Sequence, residues 1–195
     1  MDPINGAPRS YERGPLPVTR PYGPAVAGAG RDERAWVRGA QRGSASDLEA
    51  LFRAYWPRAH RAAYLVVHDA ALAEDIAQEA FLAAIRNLDR FDRRRPFGPW
   101  LHRIVVNRAI DAARARSLRG EAELDERIAP SQISEPVDRT ALAALAALPP
   151  EQRAVVVLRH LLGYTPGEIA GLLDLPRGTV NSRLRRGLDA IKERL

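Results

Sequence analysis

Apolar residues in this chain recur at three- and four-residue steps over several separate stretches, the spacing of buried faces on α-helices. In the first, Leu48, Leu51, Phe52, Tyr55, Ala59, Ala62 and Val66 form one stripe. Ser46 or Asp47 is placed to cap that helix, and Glu49 follows Ser46 at the capping-box interval. Pro57 lies inside the stripe and predicts a kink or a split there. Asp69 caps a second helix, which buries Leu72, Ile76, Ala80, Ala83 and Ala84 and runs to about Asn87. Its other side carries Asp75, Gln78, Glu79 and Leu82, an acidic and partly apolar strip that suits either a solvated face or a docking surface. After a basic loop, Asp89 to Gly98, a third helix opens at Pro99 and Trp100. Trp100, Ile104, Val105, Ala109, Ile110 and Ala113 face inward, while Arg103, Asn107, Arg108, Arg114 and Arg116 lie mostly outside that stripe.

The C-terminal part has shorter periods and sharper punctuation. Leu142, Leu145 and Leu148 make a helix that ends at Pro149-Pro150, and the next buries Val155, Val156, Leu158 and Leu161 before Gly163. Thr165 caps another helix, with Pro166 at its first position and Glu168 completing a capping box. Ile169, Ala170, Leu172 and Leu173 pack inward, Asp174-Leu175-Pro176 turns the chain, and Val180, Leu184, Leu188 and Ile191 stripe a final helix. Arg177, Thr179, Asn181, Ser182, Arg183, Arg185 and Arg186 populate the N-terminal half of that helix. Two helices joined by a tight turn, the second one basic, is the sequence form of a helix-turn-helix DNA reader.

Two stretches lack periodicity. Residues 1–43 are rich in proline and glycine and read as a disordered extension, with Arg31 to Gly43 open to a helix around Trp36. Residues 117–138 are acidic, contain prolines and read as a flexible linker. The expected fold is therefore all-α, with two small helical domains at 44–116 and 139–195.

Composition sharpens this picture. An apolar content of 46% suffices for packed cores, and aromatics at only 6% favour helices over sheets. The formal charge of +6 is carried almost entirely by arginine, with Lys192 the only lysine. Arginine forks match phosphates and guanine edges, which favours a nucleic-acid partner. The basic loop contributes Arg90, Arg93, Arg94 and Arg95 beside aromatic residues, the makeup of a surface that grips a strand and reads base edges. With no cysteine, disulfides, thiolate metal sites and cysteine nucleophiles are excluded. His60, His68, His102 and His160 are scattered outside any metal-ligand spacing and read as surface or boundary residues. There is no phosphate-binding glycine loop and no nucleophile elbow, so no catalytic residue, metal or cofactor is expected. No apolar run reaches the length of a membrane helix and no export signal opens the chain, so the expected place is the cytoplasm, without membrane insertion.

Two stretches resemble conserved parts of the sigma-70 family of RNA polymerase initiation factors, in its small extracytoplasmic-function (group IV) branch. AEDIAQEAF, with WLHRIVVNRAID downstream, is similar to region 2, and LPRGTVNSRLRRG in its setting is similar to region 4. The resemblance implies a non-catalytic specificity subunit that binds core polymerase and directs promoter-specific initiation. It places Asp75, Gln78, Glu79 and Leu82 against the clamp helices of the largest polymerase subunit. It assigns Arg95, Phe97, Arg103, Asn107 and Arg108 to recognition and melting of the −10 element, the loop capturing a flipped base. It assigns Arg177, Thr179, Ser182, Arg183, Arg185 and Arg186 to the −35 element, and region 4 also to the β-flap. It further implies an anti-sigma factor as partner, and a linker that follows the RNA exit channel. Asp174 stands where the family has glycine, and Asn181 where a basic residue is common. The competing expectation is a free-standing helix-turn-helix regulator.

Overall fold

The structure, a computed structural model, describes residues 29–119 and 139–195. The linker expected at 117–138 thus lies, from residue 120 on, outside the described residues, as does the extension up to residue 28. Among the described residues the chain is built from α-helices and one short 3-10 turn, with no strand.

Helix α1, Ala29–Ala40, corrects the expectation that the disordered extension runs to residue 43, and it is the helix around Trp36 to which residues 31–43 were open. Its stripe is too short and too rich in glycine and arginine to stand out by period, and what holds it is contact with distant residues. Val37 is buried against the core, and Gly39 lets α1 approach the next helix so closely that a Cβ there would lie 1.7 Å from Asp47 Oδ2. Gln41 Nε2 donates to the Leu88 and Phe91 carbonyls at 2.8 and 3.0 Å. Glu33 is hydrogen-bonded by the Tyr55 hydroxyl and accepts from the Phe97 amide at 2.9 Å, so one carboxylate ties three elements together.

Helix α2, Ala45–Val67, is capped by Ser44, whose side chain accepts from the Asp47 amide, so the start lies just ahead of the Ser46 or Asp47 expected. It is continuous through Pro57, against the expected split. The proline is exposed, and the carbonyl left without its donor belongs to exposed Arg53, so water can satisfy it. The helix ends at His68 in the left-handed region, φ 53°. Helix α3, Ala70–Arg86, begins as expected on the Asp69 cap, which accepts from Leu72 N at 2.9 Å. The turn Leu88–Arg90 leads to α4, Phe97–Arg119. Alanines 59, 62, 73, 77, 80 and 109 are fully buried and let α2, α3 and α4 lie close together around Leu51, Leu101, Val105 and Val106.

The second half comprises α5, Arg139–Ala146, α6, Pro150–His160, α7, Pro166–Leu173, and α8, Arg177–Lys192. Its core is Val155, Leu158, Tyr164, Ile169, Leu172 and Val180, each no more than 1% exposed. Gly187 allows α8 to cross α6, since a Cβ would meet Val156 at 3.0 Å.

The two halves are packed on one another, α6 lying against α2 and α4 and α7 against α4, so their buried residues form one continuous cluster. His102, expected near the surface, is buried at this junction, and its Nδ1 is hydrogen-bonded to the Tyr164 hydroxyl at 2.7 Å. Burial, with Arg58 adding to it, pushes the His102 pKa down to about 3 and keeps the ring neutral. His68 is likewise buried and held at about 3, by burial first and by Arg153 second. At the rim of the junction Arg114 pairs with Glu151.

Candidate nucleic-acid interface and docking surface

The pair α7 and α8 is set by strong local signals. Glu168 N donates to Thr165 Oγ1 at 3.3 Å while Thr165 N donates to Glu168 Oε2 at 2.7 Å, closing the expected capping box. Asp174 takes the left-handed turn, φ 54° and ψ 48°, in the place where glycine is usual, and Leu175 N bonds back to Ala170 O at 2.9 Å. Pro176 then opens α8. Val180 and Leu184 point into the core, which turns Arg177, Arg185 and Arg186 fully outward and leaves Thr179, Ser182 and Arg183 half-buried. The Ser182 hydroxyl donates to Thr179 O at 3.0 Å. All six residues lie in the N-terminal ten of α8, the part of a recognition helix that enters a groove. Arg183 also faces Glu151: burial alone would raise that carboxyl, but a main-chain hydrogen bond, Arg114 and Arg183 outweigh it and hold it below the ordinary value.

On α3, Asp75, Gln78, Glu79 and Leu82 are all exposed and share one face, while Phe81 is buried behind them. Leu82, 49% exposed, is an apolar residue placed among acids on a surface, which suits a partner better than water. Next to this strip, Glu79 pairs with Arg108 of α4 at 2.6 Å.

Arg103, Asn107 and Arg108 recur along α4 at helical steps and are half-exposed, with the Nε atoms of both arginines buried and unpartnered among the described residues. Arg95 is exposed in the loop ahead of them. Phe97 departs from the expectation that the loop offers it to a base. It lies in the first turn of α4, 3% exposed, packed at 5.3 Å from Tyr55, 6.0 Å from Phe91 and 5.7 Å from Trp100. Its amide rests on Glu33, so α1, whose packing the periodicity did not reveal, fixes where the basic loop meets α4. Glu33, Gln41, Arg153 and Tyr164 are the positions that sequence reasoning missed. Each works through a contact at least several helical turns away or across the junction, which no local pattern carries.

Among the described residues no group of acids, histidines and cysteines could hold a metal ion, and no helix is long and apolar enough to cross a membrane. The arrangement offers one acidic face and two basic, partly polar faces on a helical frame, which is equipment for binding.

An all-helical frame that ends in a helix-turn-helix and carries a second basic surface defines a DNA-binding protein of two helical domains. Family comparison makes this specific: residues 51–119 match Sigma-70 region 2, and residues 139–191 match Sigma-70, region 4. The chain is 35% identical over 177 residues to the ECF RNA polymerase sigma factor SigM of Mycobacterium tuberculosis, covering 88% of this chain and 90% of that one. It is 29% identical to the ECF RNA polymerase sigma factor SigW of Bacillus subtilis, covering 82% of this chain and 94% of the relative. Among solved structures, CnrH in complex with the cytosolic domain of CnrY matches with a TM-score of 0.62 at 25% identity, over 83% of this chain and 96% of that one. The chain belongs to the sigma-70 family, in its extracytoplasmic-function branch. It is a sigma factor, a polymerase subunit for promoter-specific initiation, and the reading as a free-standing regulator is set aside.

Proposed function

We propose that the surfaces described above divide the work of initiation among them, as a non-catalytic specificity subunit acting in the cytoplasm. The exposed face of α3 carries the docking: Asp75, Gln78 and Glu79 meet basic groups of the polymerase clamp helices while Leu82 is desolvated against them. Arg103, Asn107 and Arg108 on α4, with Arg95 ahead of them, contact the −10 element, and the basic loop holds a base out of the opened duplex. Phe97 supports that loop from inside, through its ring contacts. The N-terminal half of α8 contacts the −35 element through Arg177, Thr179, Ser182, Arg183, Arg185 and Arg186, and the second half of the chain also contacts the β-flap. An anti-sigma factor that covers these surfaces completes the set of partners.

The observation that carries this reading is the placement of the acidic, leucine-bearing face of α3 directly beside the basic face of α4, joined by the Glu79–Arg108 pair. A docking surface and a DNA surface on adjoining helices are what a subunit needs to bring a polymerase to a promoter. Asn107→Ala tests it. The expected result is loss of discrimination among −10 sequences by about 1–3 kcal/mol, with core binding unchanged. Equal loss of core binding would place Asn107 on the wrong surface.

A further inference from the structure

A pocket of about 230 Å³ opens where the C-terminal ends of α2 and α5 meet α4 and α6, and none of the side chains named above for DNA or clamp-helix contact lines it. Its polar lining is His68, Arg116, Ser117 and Arg153, set in walls of alanine and valine. Arg153 reaches across the junction and makes hydrogen bonds to main-chain carbonyls: Nε to Leu145 O at 3.2 Å, Nη2 to Leu148 O at 2.8 Å and to Ala146 O, and Nη1 to Val66 O. Those carbonyls lie in the last turns of α2 and α5 or just beyond α5, and supply only partial negative charge. Among the described residues no carboxylate lies within ion-pair distance of Arg153. Arg116 has Asp69 at 2.9 Å, and Asp69 also caps α3.

His68 supplies a second, independent sign. It is 92% buried, its backbone holds the left-handed conformation at φ 53°, and its Nε2 has no hydrogen-bond partner among the described residues. A buried imidazole nitrogen without a hydrogen-bond partner is costly, and a non-glycine residue in that conformation adds strain. Desolvation also weakens the hold of Arg153 on its proton, to a pKa of about 10, a sign of charge that is incompletely compensated.

We propose that this pocket binds a compact oxyanion, a carboxylate or phosphate group, between His68 Nε2 and the Arg153 guanidinium, with Arg116 and Ser117 at its rim. The group accepts from the neutral His68 ring and from the guanidinium hydrogen not used on carbonyls. His68 belongs to the first half of the chain and Arg153 to the second, so a bound oxyanion bridges the halves and favours their packed arrangement by linkage. Two sources share this chemistry: a free small anion, and an acidic side chain of the chain's own 120–138 stretch, such as Glu121, Glu123, Asp125 or Glu126.

The test follows the imidazole resonances of the full chain, labelled at histidine, during titration with inorganic phosphate at pH 7 and fixed ionic strength. The expected result is a saturable shift of His68 that exposed His160 does not share, weakened about tenfold in Arg116→Gln and abolished in Arg153→Gln. Arg116→Gln leaves Arg153 and its main-chain hydrogen bonds in place, so the test does not depend on the Arg153 variant folding. Saturation that appears only after Glu121, Glu123, Asp125 and Glu126 are changed to Gln shows the same site filled by the chain's own carboxylate. The proposal is overturned if His68 stays unmoved in both backgrounds, or if it shifts only in proportion to His160, the response of a general ion atmosphere.

Discussion

The two halves of the molecule are made from helices of different kinds. In the first, α2 and α4 run for 23 residues each and lie along alanine seams closed by aromatic rings. In the second, α5 and α7 are eight residues each, well under the roughly 12–15 needed for a helix to hold itself in water. There the capping box at Thr165, the left-handed Asp174 and the prolines at helix starts do locally what length and ring packing do in the first half. The difference suits the two tasks proposed for the halves. A reader of duplex DNA needs one helix end held at a fixed angle, and two short capped supports provide that. A surface that docks a polymerase and holds an opened strand needs long adjoining helices, with a loop pinned at both ends.

The junction unites these designs, and the largest effects should show whether it makes them one cooperative unit. Leu101→Ala in the first half and Leu158→Ala in the second each empty a fully buried site and should each cost about 2–5 kcal/mol. Because the buried cluster is continuous, both should lower a single thermal transition. Two transitions, each sensitive to one variant only, would show the halves to be energetically separate.

Acid should act at the same boundary. His68 and His102 are held near 3 in the folded chain against an ordinary 6.5, so the unfolded chain binds more protons between those values. Their contribution is fully present above about pH 6.5 and is lost as the pH falls toward 3, by up to about 1.4 kcal/mol per pH unit for each ring. Melting temperature should fall on acidification from pH 7 to 4, and His102→Gln should make that fall shallower. An unchanged slope would remove His102 from the account.

The smallest effect concerns the local devices. Thr165→Ala opens the capping box and should cost about 1 kcal/mol, weakening −35 contacts with little change at the −10 element. An equal loss at both elements would show that α7 does more than support α8.

The same contrast explains what could be read from the sequence. The helix-turn-helix was legible almost residue by residue, because Thr165, Glu168, Asp174 and Pro176 act within a few positions of themselves. The shared face of Asp75, Gln78, Glu79 and Leu82 was legible because it follows directly from 3.6 residues per turn. Helix α1 was legible only in part, as the helix left open around Trp36, since its stability comes from Glu33 reaching Phe97 and Gln41 reaching Leu88, contacts with no periodic trace. The continuity of α2, which turns on Pro57 facing water, was not legible, nor was the burial of Phe97, which looked like a loop aromatic until its neighbours were placed. His102 and Tyr164 stand 62 positions apart, and only the packing of the halves makes them partners.

The most direct measurement is run-off transcription with purified core polymerase and a pool of genomic promoters. The account predicts that this chain directs initiation from a defined subset of them and that, without core polymerase, it binds the same duplexes weakly. Tight binding to duplex DNA by the chain alone, with no initiation from any promoter in the presence of core polymerase, would contradict it.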